Sequence, residues 1–198
     1  MPSQFGVKIE ALTQAPAGYF DDRFNIEAIK IVPGQYYVTR KDKMIVTVLG
    51  TCVAACIRDR VRGIGGMNHF MLADWGRDSA NPESKAVQHG RYAMDKLIEQ
   101  LLAKGAQRNW LEAKIFGGAD LLREVSSVNM GKLNISFVTE YLRQRGIKVV
   151  ADSLGGAYPR KVYFFPRTGE VMVRTLTKAN NTTIVDREKD YRIRLNGF

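Results

Sequence analysis

The hydrophobic and polar positions of this chain first follow the short alternating pattern of β-strands and later the longer period of amphipathic helices. Strand-like segments rich in β-branched and aromatic residues dominate from about residue 31 to residue 72. Four strands are predicted there, in the segments QYYVTR, KMIVTVLG, VAACIRD and GIGGMNHFML. A polar loop containing an Asn-Pro breaker is predicted over residues 75–85.

Two strand–helix alternations and a hairpin follow this loop. The segments AVQHGRYAMDKLIEQLLAKG and ISFVTEYLRQRG are predicted to be helices that end at Gly105 and Gly146. The segments WLEAKIFGG and IKVVADSLGG are predicted strands, and KVYFFPRTGEVMVRTL is a predicted hairpin that turns at residues 166–169. One face of the first helix carries the apolar residues Met94, Leu97, Ile98, Leu101 and Leu102.

This order of elements predicts an α/β fold in a single layered domain. Its β-sheets are expected to be mixed or antiparallel, with the helices packed on one side, in an α/β/β sandwich-like arrangement. A chain of 198 residues is long enough for one well-buried core. We assign residues 31–176 to the domain, residues 1–30 to an N-terminal extension and residues 177–198 to a polar C-terminal tail.

Composition limits the environment and the partners of the protein. The formal net charge of +10 favours an acidic partner, but the basic residues are dispersed, and the densest cluster, DREKDYRIR, is mixed in sign. A nucleic-acid-binding module is therefore an alternative supported by charge alone. No apolar run approaches the ~20 residues that cross a bilayer, and no secretory signal is evident, so we expect a cytoplasmic protein without membrane insertion.

The segment LGTCVAACIRD raises the question of chemistry, because it holds both cysteines of the chain. If it forms a hairpin with GIGGMNH that is centred between Arg60 and Val61, Cys52 lies opposite His69. Opposed Cβ atoms in such a pair are ~4.5–5.5 Å apart, a spacing that suits a thiol and an imidazole. The imidazole would then activate the thiol as a nucleophile.

Other interpretations of these residues remain open. A buried free cysteine usually acts as a small hydrophobic residue, and Cys56 is expected to be packing that pairs near Gly65. Cys52, Cys56 and His69 match the first three ligands of a zinc finger, but His89 follows too late to be the fourth. We therefore expect no metal and no cofactor.

Two features near Cys52 extend the nucleophile hypothesis. The segment leaves a tight turn at Gly50, where free backbone N–H groups would bind a developing oxyanion. Thr47 lies in the preceding apolar strand. It is either a simple strand former or the group that orients His69.

The segments TVLGTCVAACIRD, GIGGMNHFMLAD, LEAKIFGGADLL and NMGKLNISFV, taken in this order, resemble the chemoreceptor glutamine deamidase CheD family of bacterial chemotaxis. The resemblance implies that Cys52 is the nucleophile, that His69 is the base, and that a threonine in the preceding strand, here Thr47, orients the histidine. Thr51 stands where serine is common in the family. The implied enzyme is a protein-glutamine glutaminase that needs no cofactor.

The implied reaction converts glutamine side chains in the cytoplasmic helices of chemoreceptors to glutamate, through a thioester and with release of ammonia. The residue chemistry alone would equally suit a protease, a transglutaminase or a thioesterase. The alternative from another class is a regulatory protein that docks on receptors or on the phosphatase CheC, with catalysis secondary.

Overall fold

The computed structural model describes residues 16–72, 85–121, 129–177 and 182–196. Within these ranges the chain forms ten strands and three α-helices. The strands are β1 Ala17–Asp21, β2 Ile26–Lys30, β3 Tyr36–Thr39, β4 Met44–Leu49, β5 Val53–Asp59, β6 Ile64–Asn68, β7 Leu111–Gly117, β8 Lys148–Leu154, β9 Arg160–Phe165 and β10 Glu170–Thr175. The helices are α1 Lys85–Ala103, α2 Met130–Gln144 and α3 Thr182–Asn196.

The strands form two five-stranded sheets. The outer sheet has the order β1-β2-β4-β9-β10, and the inner sheet has the order β3-β6-β5-β7-β8. Each sheet is mixed, because β2 runs parallel to β4 and β7 runs parallel to β8, whereas the other pairs are antiparallel. The prediction of mixed sheets is confirmed.

Strand β5 shows how the layers stack. Val53, Ala55 and Ile57 pack in one core with α1 and α2, whereas Ala54 and Cys56 pack in a second core against the outer sheet. Successive side chains of a strand point to opposite faces, so the inner sheet is buried on both sides. The layers are α1 and α2, the inner sheet and the outer sheet, as the α/β/β prediction requires.

The turn between β5 and β6 corrects the predicted hairpin register. Asp59 pairs with Ile64, so the four-residue loop is centred between Val61 and Arg62 rather than one residue earlier. The Asp59 carboxylate accepts hydrogen bonds from the backbone N–H groups of Val61 and Arg62, at 2.9 Å each, and Gly63 adopts a positive φ of 63°. An aspartate and a glycine at these positions fix the turn.

The predicted pairing of Cys52 with His69 is therefore wrong by two residues. Val53 bridges Phe70, and continuing this register sets His69 across from Ala54. A shift of two residues keeps a side chain on the same face of the sheet, whereas a shift of one would reverse it. Cys52 and His69 thus still face the same core, diagonally across the strand pair.

Helices α1 and α2 agree in type with the predicted segments. The predicted apolar face of α1 packs against the inner sheet. Helix α2 begins at Met130, earlier than predicted, because the Asn129 side chain caps it by accepting a hydrogen bond from Lys132 N at 2.9 Å.

Three elements lie in segments for which no regular structure was predicted. Strands β1 and β2 lie within residues 1–30, and α3 lies within residues 177–198. The first fifteen residues and most of the predicted loop at 75–85 lie outside the described residues. None of the described helices is both long and apolar enough to cross a membrane.

Candidate active site

Residues 50–52, hereafter the crossover segment, carry the chain from β4 in the outer sheet to β5 in the inner sheet. All three carbonyl groups of this segment are held by residues that follow β7 or lie in α2. In chain order they accept hydrogen bonds from Ala119 N at 2.8 Å, from Asn134 Nδ2 at 2.9 Å and from Gly118 N at 2.8 Å. These contacts fix the direction in which the N–H groups of the segment point.

Gly117 allows the end of β7 to lie this close to the crossover segment. It has a φ of +109°, and a Cβ atom at this position would lie 2.2 Å from the carbonyl oxygen of Cys52. No L side chain fits so near a backbone atom. One of the glycines at the end of IFGG is therefore required for the geometry of the crossover segment.

The three N–H groups of the crossover segment converge on one carboxylate, that of Glu188 in α3. Gly50 N and Cys52 N donate to Oε1 at 2.9 and 3.1 Å, and Thr51 N donates to Oε2 at 2.8 Å. Glu188 is only 3% exposed. Three converging backbone donors form a site for an oxyanion or a carboxylate, at the place where the sequence predicted such donors.

His69 is fixed in one tautomer by a chain of hydrogen bonds. Thr47 Oγ1 donates its only proton to the carbonyl oxygen of Ile31 at 2.8 Å and lies 2.8 Å from Nδ1 of His69. Because that hydroxyl has no second proton to give, Nδ1 must carry the hydrogen and donate it to Thr47. The lone pair of the imidazole is then on Nε2, as a general base requires.

Two buried side-chain atoms have no hydrogen-bond partner within the described part of the chain, Nε2 of His69 and Oγ1 of Thr51. Nε2 is the ring nitrogen that Thr47 leaves free. Cys52 Sγ, a ring nitrogen of His69 and a carboxylate oxygen of Glu188 all lie within 4.8 Å of one another. The structure therefore brings all three predicted site residues, Cys52, His69 and Thr47, into one cluster.

Both members of the Cys52–His69 pair are uncharged in this arrangement. Burial and, next, the negative charge of Glu188 raise the pKa of the Cys52 thiol well above its usual value. Burial, followed by the positive charge of Arg187, lowers the pKa of His69 to about 3. Each shift opposes the thiolate–imidazolium pair that makes a cysteine nucleophilic.

Within the described part of the chain, Cys56 does not belong to the cluster of Cys52, His69 and Glu188. Its side chain is buried in the core between the sheets, and burial raises the pKa of its thiol. Its partner in β6 is Met67, so the predicted pairing near Gly65 is wrong by two residues for the same reason as the hairpin register. Its surroundings are those of a packing residue.

The cluster also has the composition of a metal site. A thiolate, an imidazole nitrogen and a carboxylate oxygen at this spacing would hold a soft divalent ion such as zinc. In this structure, however, both oxygens of Glu188 accept hydrogen bonds from backbone N–H groups. This bonding favours the carboxylate as an acceptor for the crossover segment rather than as a metal ligand.

Sequence reasoning missed Glu188 and Asn134. Asn134 is fully buried, and its Oδ1 accepts a hydrogen bond from Leu72 N at 2.9 Å while its Nδ2 holds the carbonyl of Thr51. Glu188 had a signal in the spacing of Ile184, Glu188 and Tyr191, which places a carboxylate on the apolar face of a helix.

Comparison with known proteins adds an independent observation. The family model described as CheD chemotactic sensory transduction matches residues 71–175. That match starts just after His69, but the alignments with whole relatives extend further. The chain is 57% identical to a probable chemoreceptor glutamine deamidase CheD of Thiobacillus denitrificans, over 89% of this chain and 88% of the relative.

A protein of the same name from Methylobacillus flagellatus is 55% identical over 89% of this chain and 88% of its own length. A further relative, the probable chemoreceptor glutamine deamidase CheD 1 of Shewanella oneidensis, is 47% identical over 94% of this chain and 91% of its own. Only about a tenth of the chain lies outside such alignments, and residues 52 and 69 are farther than that from either end. The protein belongs to the CheD family.

Proposed function

We propose that the protein is a cysteine amidohydrolase that converts glutamine side chains of chemoreceptors to glutamate. The observation that carries this proposal is that the Cys52 thiol, a ring nitrogen of His69 and a carboxylate oxygen of Glu188 lie within 4.8 Å of one another. The three N–H groups of residues 50–52 donate to that same carboxylate. Membership of the CheD family supports the substrate, because the relatives are named chemoreceptor glutamine deamidases.

In the first half of the reaction, Nε2 of His69 takes the thiol proton of Cys52, and the thiolate attacks the carboxamide carbon of the substrate glutamine. The carbonyl oxygen becomes an oxyanion, which accepts hydrogen bonds from the N–H groups of the crossover segment in the place of the Glu188 carboxylate. His69 returns the proton to the nitrogen as the C–N bond breaks. Ammonia leaves, and a thioester remains on Cys52.

In the second half, His69 removes a proton from water, which attacks the thioester carbonyl. The C–S bond breaks, the thiol regains the proton, and the product is a glutamate side chain. Thr47 supports both halves by accepting the hydrogen bond from Nδ1 of His69, so that the lone pair stays on Nε2. Water replaces ammonia on the same carbon, so no peptide bond is cut.

The substrate surface and compartment follow from the same proposal. The net charge of +10 supports docking on an acidic partner such as a receptor helix in the cytoplasm. A docking role on receptors or on the phosphatase CheC, with catalysis secondary, stays a prediction from sequence.

The test uses a recombinant receptor cytoplasmic domain, with ammonia release and glutamine-to-glutamate conversion followed by peptide mass spectrometry. Cys52→Ala should abolish conversion, whereas Cys56→Ala should retain it. Activity that survives in Cys52→Ala, or an absence of conversion on every receptor tried, would contradict the proposal. A parallel reaction with EDTA tests the alternative of a metal site, since loss of activity there would implicate an ion held by Cys52, His69 and Glu188.

A further inference from the structure

Helix α3 lies over the candidate active site and presents one narrow face to it. Ile184, Glu188 and Tyr191 are buried, and Leu195 is partly buried. Their spacing of four, three and four residues places them in one stripe along the helix. The stripe is apolar except for Glu188. A helix that served only to cover the core would carry a hydrophobic residue at this position.

Tyr191 fixes the position of α3 along the protein surface. It is 1% exposed and belongs to the core between the two sheets. Its ring packs so closely on Gly34 that a Cβ atom there would lie 2.9 Å from the ring, and its hydroxyl lies 3.1 Å from Nε2 of His89. With Tyr191 anchored, Glu188 lies one turn earlier on the same face, over the crossover segment.

Glu188 has the chemical form of the reaction product. Deamidation of a glutamine leaves a γ-carboxylate of the same length, next to the cysteine and on the oxyanion donors. The Glu188 carboxylate accepts hydrogen bonds from all three N–H groups of the crossover segment, and one of its oxygens lies within 4.8 Å of Cys52 Sγ. Burying a carboxylate costs free energy unless it is fully hydrogen-bonded, so these contacts specify a carboxylate site.

We propose that α3 is a built-in product mimic. Glu188 occupies the pocket for the γ-carboxylate of a product glutamate, and the helix covers Cys52 on the surface where a substrate helix docks. The inference rests on the proposed function, because it takes the crossover segment as the oxyanion donor. A substrate helix that presents a glutamine must displace α3 before Cys52 can react.

The charges of α3 also keep the covered site inactive. Glu188 adds to the effect of burial in raising the pKa of Cys52, and Arg187 adds to it in lowering the pKa of His69. Departure of α3 removes both charges from the site and admits water. The Cys52 thiol then ionises more readily, and His69 gains a proton more readily.

The test compares two variants of the full chain, Glu188→Ala and the control Asp190→Asn. Asp190 is an exposed carboxylate on the same helix, so its loss changes the charge of α3 without touching the crossover segment. The first readout is the rate of alkylation of Cys52 by iodoacetamide, measured by peptide mass spectrometry, with Cys56 as the internal reference. The second readout is the rate of deamidation of a receptor cytoplasmic domain.

Loss of three charge-assisted hydrogen bonds should raise alkylation of Cys52 in Glu188→Ala by roughly tenfold or more, with Asp190→Asn like the wild type. Deamidation should rise in the same variant. Unchanged alkylation of Cys52 overturns the proposal. So does faster alkylation with slower deamidation than the wild type, because Glu188 would then serve the reaction itself.

Two further outcomes are distinguishable. If Cys56 also becomes reactive, Glu188→Ala has unfolded, and Tyr191→Phe decides instead. That variant keeps the ring and loses the contact with His89, so a smaller rise limited to Cys52 supports the proposal and no rise overturns it. If alkylation rises but no variant deamidates any receptor, α3 is a cover for Cys52 and the proposed function fails.

Discussion

Cys52 and Cys56 differ in their backbone surroundings more than in their burial. Both side chains face the core between the two sheets, and burial raises the pKa of both thiols. Cys56 lies inside β5, where β6 and β7 flank it and its partners are Met67 and Lys114. Cys52 precedes β5, in the crossover segment, where the backbone N–H groups are not used by either sheet.

The difference shows what makes one buried cysteine a candidate nucleophile. A strand interior uses its N–H and C=O groups in the ladders, so it has none left for a developing oxyanion. A segment that passes from one sheet to the other has N–H groups that no ladder uses. These groups point in a fixed direction when the carbonyls of the segment are hydrogen-bonded elsewhere. In this protein Ala119, Asn134 and Gly118 hold them.

Substitution of His69 should give the largest effect on the rate of deamidation. His69→Gln removes the general base and should lower kcat/KM for receptor deamidation by about 10²–10⁴-fold. The matched variant His89→Gln changes a half-buried histidine in α1 whose Nε2 lies 3.1 Å from the Tyr191 hydroxyl, and its activity should not fall. Equal losses in the two variants would remove the distinction between the two histidines.

A substitution at Gly117 tests whether the crossover segment depends on its close contact with the end of β7. Gly117→Ala would set a Cβ atom 2.2 Å from the Cys52 carbonyl oxygen, at a φ of +109°, and should lower the free energy of unfolding by about 3 kcal/mol. Gly146→Ala is the control, because φ there is +65° but nothing lies within 4 Å of the added Cβ. That control should cost about 1 kcal/mol. Urea unfolding measures both, and equal costs would refute the tight contact.

Thr47 should act as a positioning residue for His69. Thr47→Val leaves Nδ1 without its acceptor, which should raise the barrier by about 1–3 kcal/mol and slow deamidation roughly ten- to hundredfold. Thr47→Ser keeps the hydroxyl and should restore most of the rate. The pH profile should shift in Thr47→Val and not in Thr47→Ser. A slow Thr47→Ser variant with an unshifted profile would mean that Thr47 only packs.

The pH dependence of stability should report the buried neutral His69. Its pKa is about 3 in the folded chain and ~6.5 when unfolded, so between these values only the unfolded chain binds the proton. Stability from this group is therefore present above pH ~6.5 and is lost as the pH falls. From pH 7 to pH 5, the wild type should lose about 1–2 kcal/mol more than His69→Gln in urea unfolding. Parallel losses would show that His69 titrates normally in the folded chain.

The sequence predicted the layers of the fold because its strands and two helices carry clear hydrophobic periods. It also predicted that Cys52 and His69 share a face, since that depends only on the parity of the loop. The register itself was missed because the carboxylate of Asp59 and the positive φ of Gly63 move the turn by one residue.

The position of Glu188 in the site could not be predicted from the sequence, for a physical reason. Its hydrogen bond to Cys52 N joins residues 136 positions apart, and nothing local requires that contact. The segment DREKDYRIR has both charge signs, which is typical of a solvated surface. Only the spacing of Ile184, Glu188 and Tyr191 indicated a buried face.

The most direct test is whether the pocket that holds the Glu188 carboxylate also accepts a glutamine side chain for reaction with Cys52. Glu188→Gln removes the carboxylate charge that helps to raise the pKa of Cys52 and sets a carboxamide beside the thiol. The purified variant should therefore form a thioester with Cys52 without a receptor, and hydrolysis to glutamate should follow when α3 moves and admits water. Peptide mass spectrometry of residues 182–196 follows the conversion in backgrounds that also carry Cys56→Ala or Cys52→Ala. Conversion to glutamate, or a thioester to Cys52, is expected with Cys56→Ala, and neither is expected with Cys52→Ala. A carboxamide that persists in every background, or conversion that continues without Cys52, would contradict this expectation.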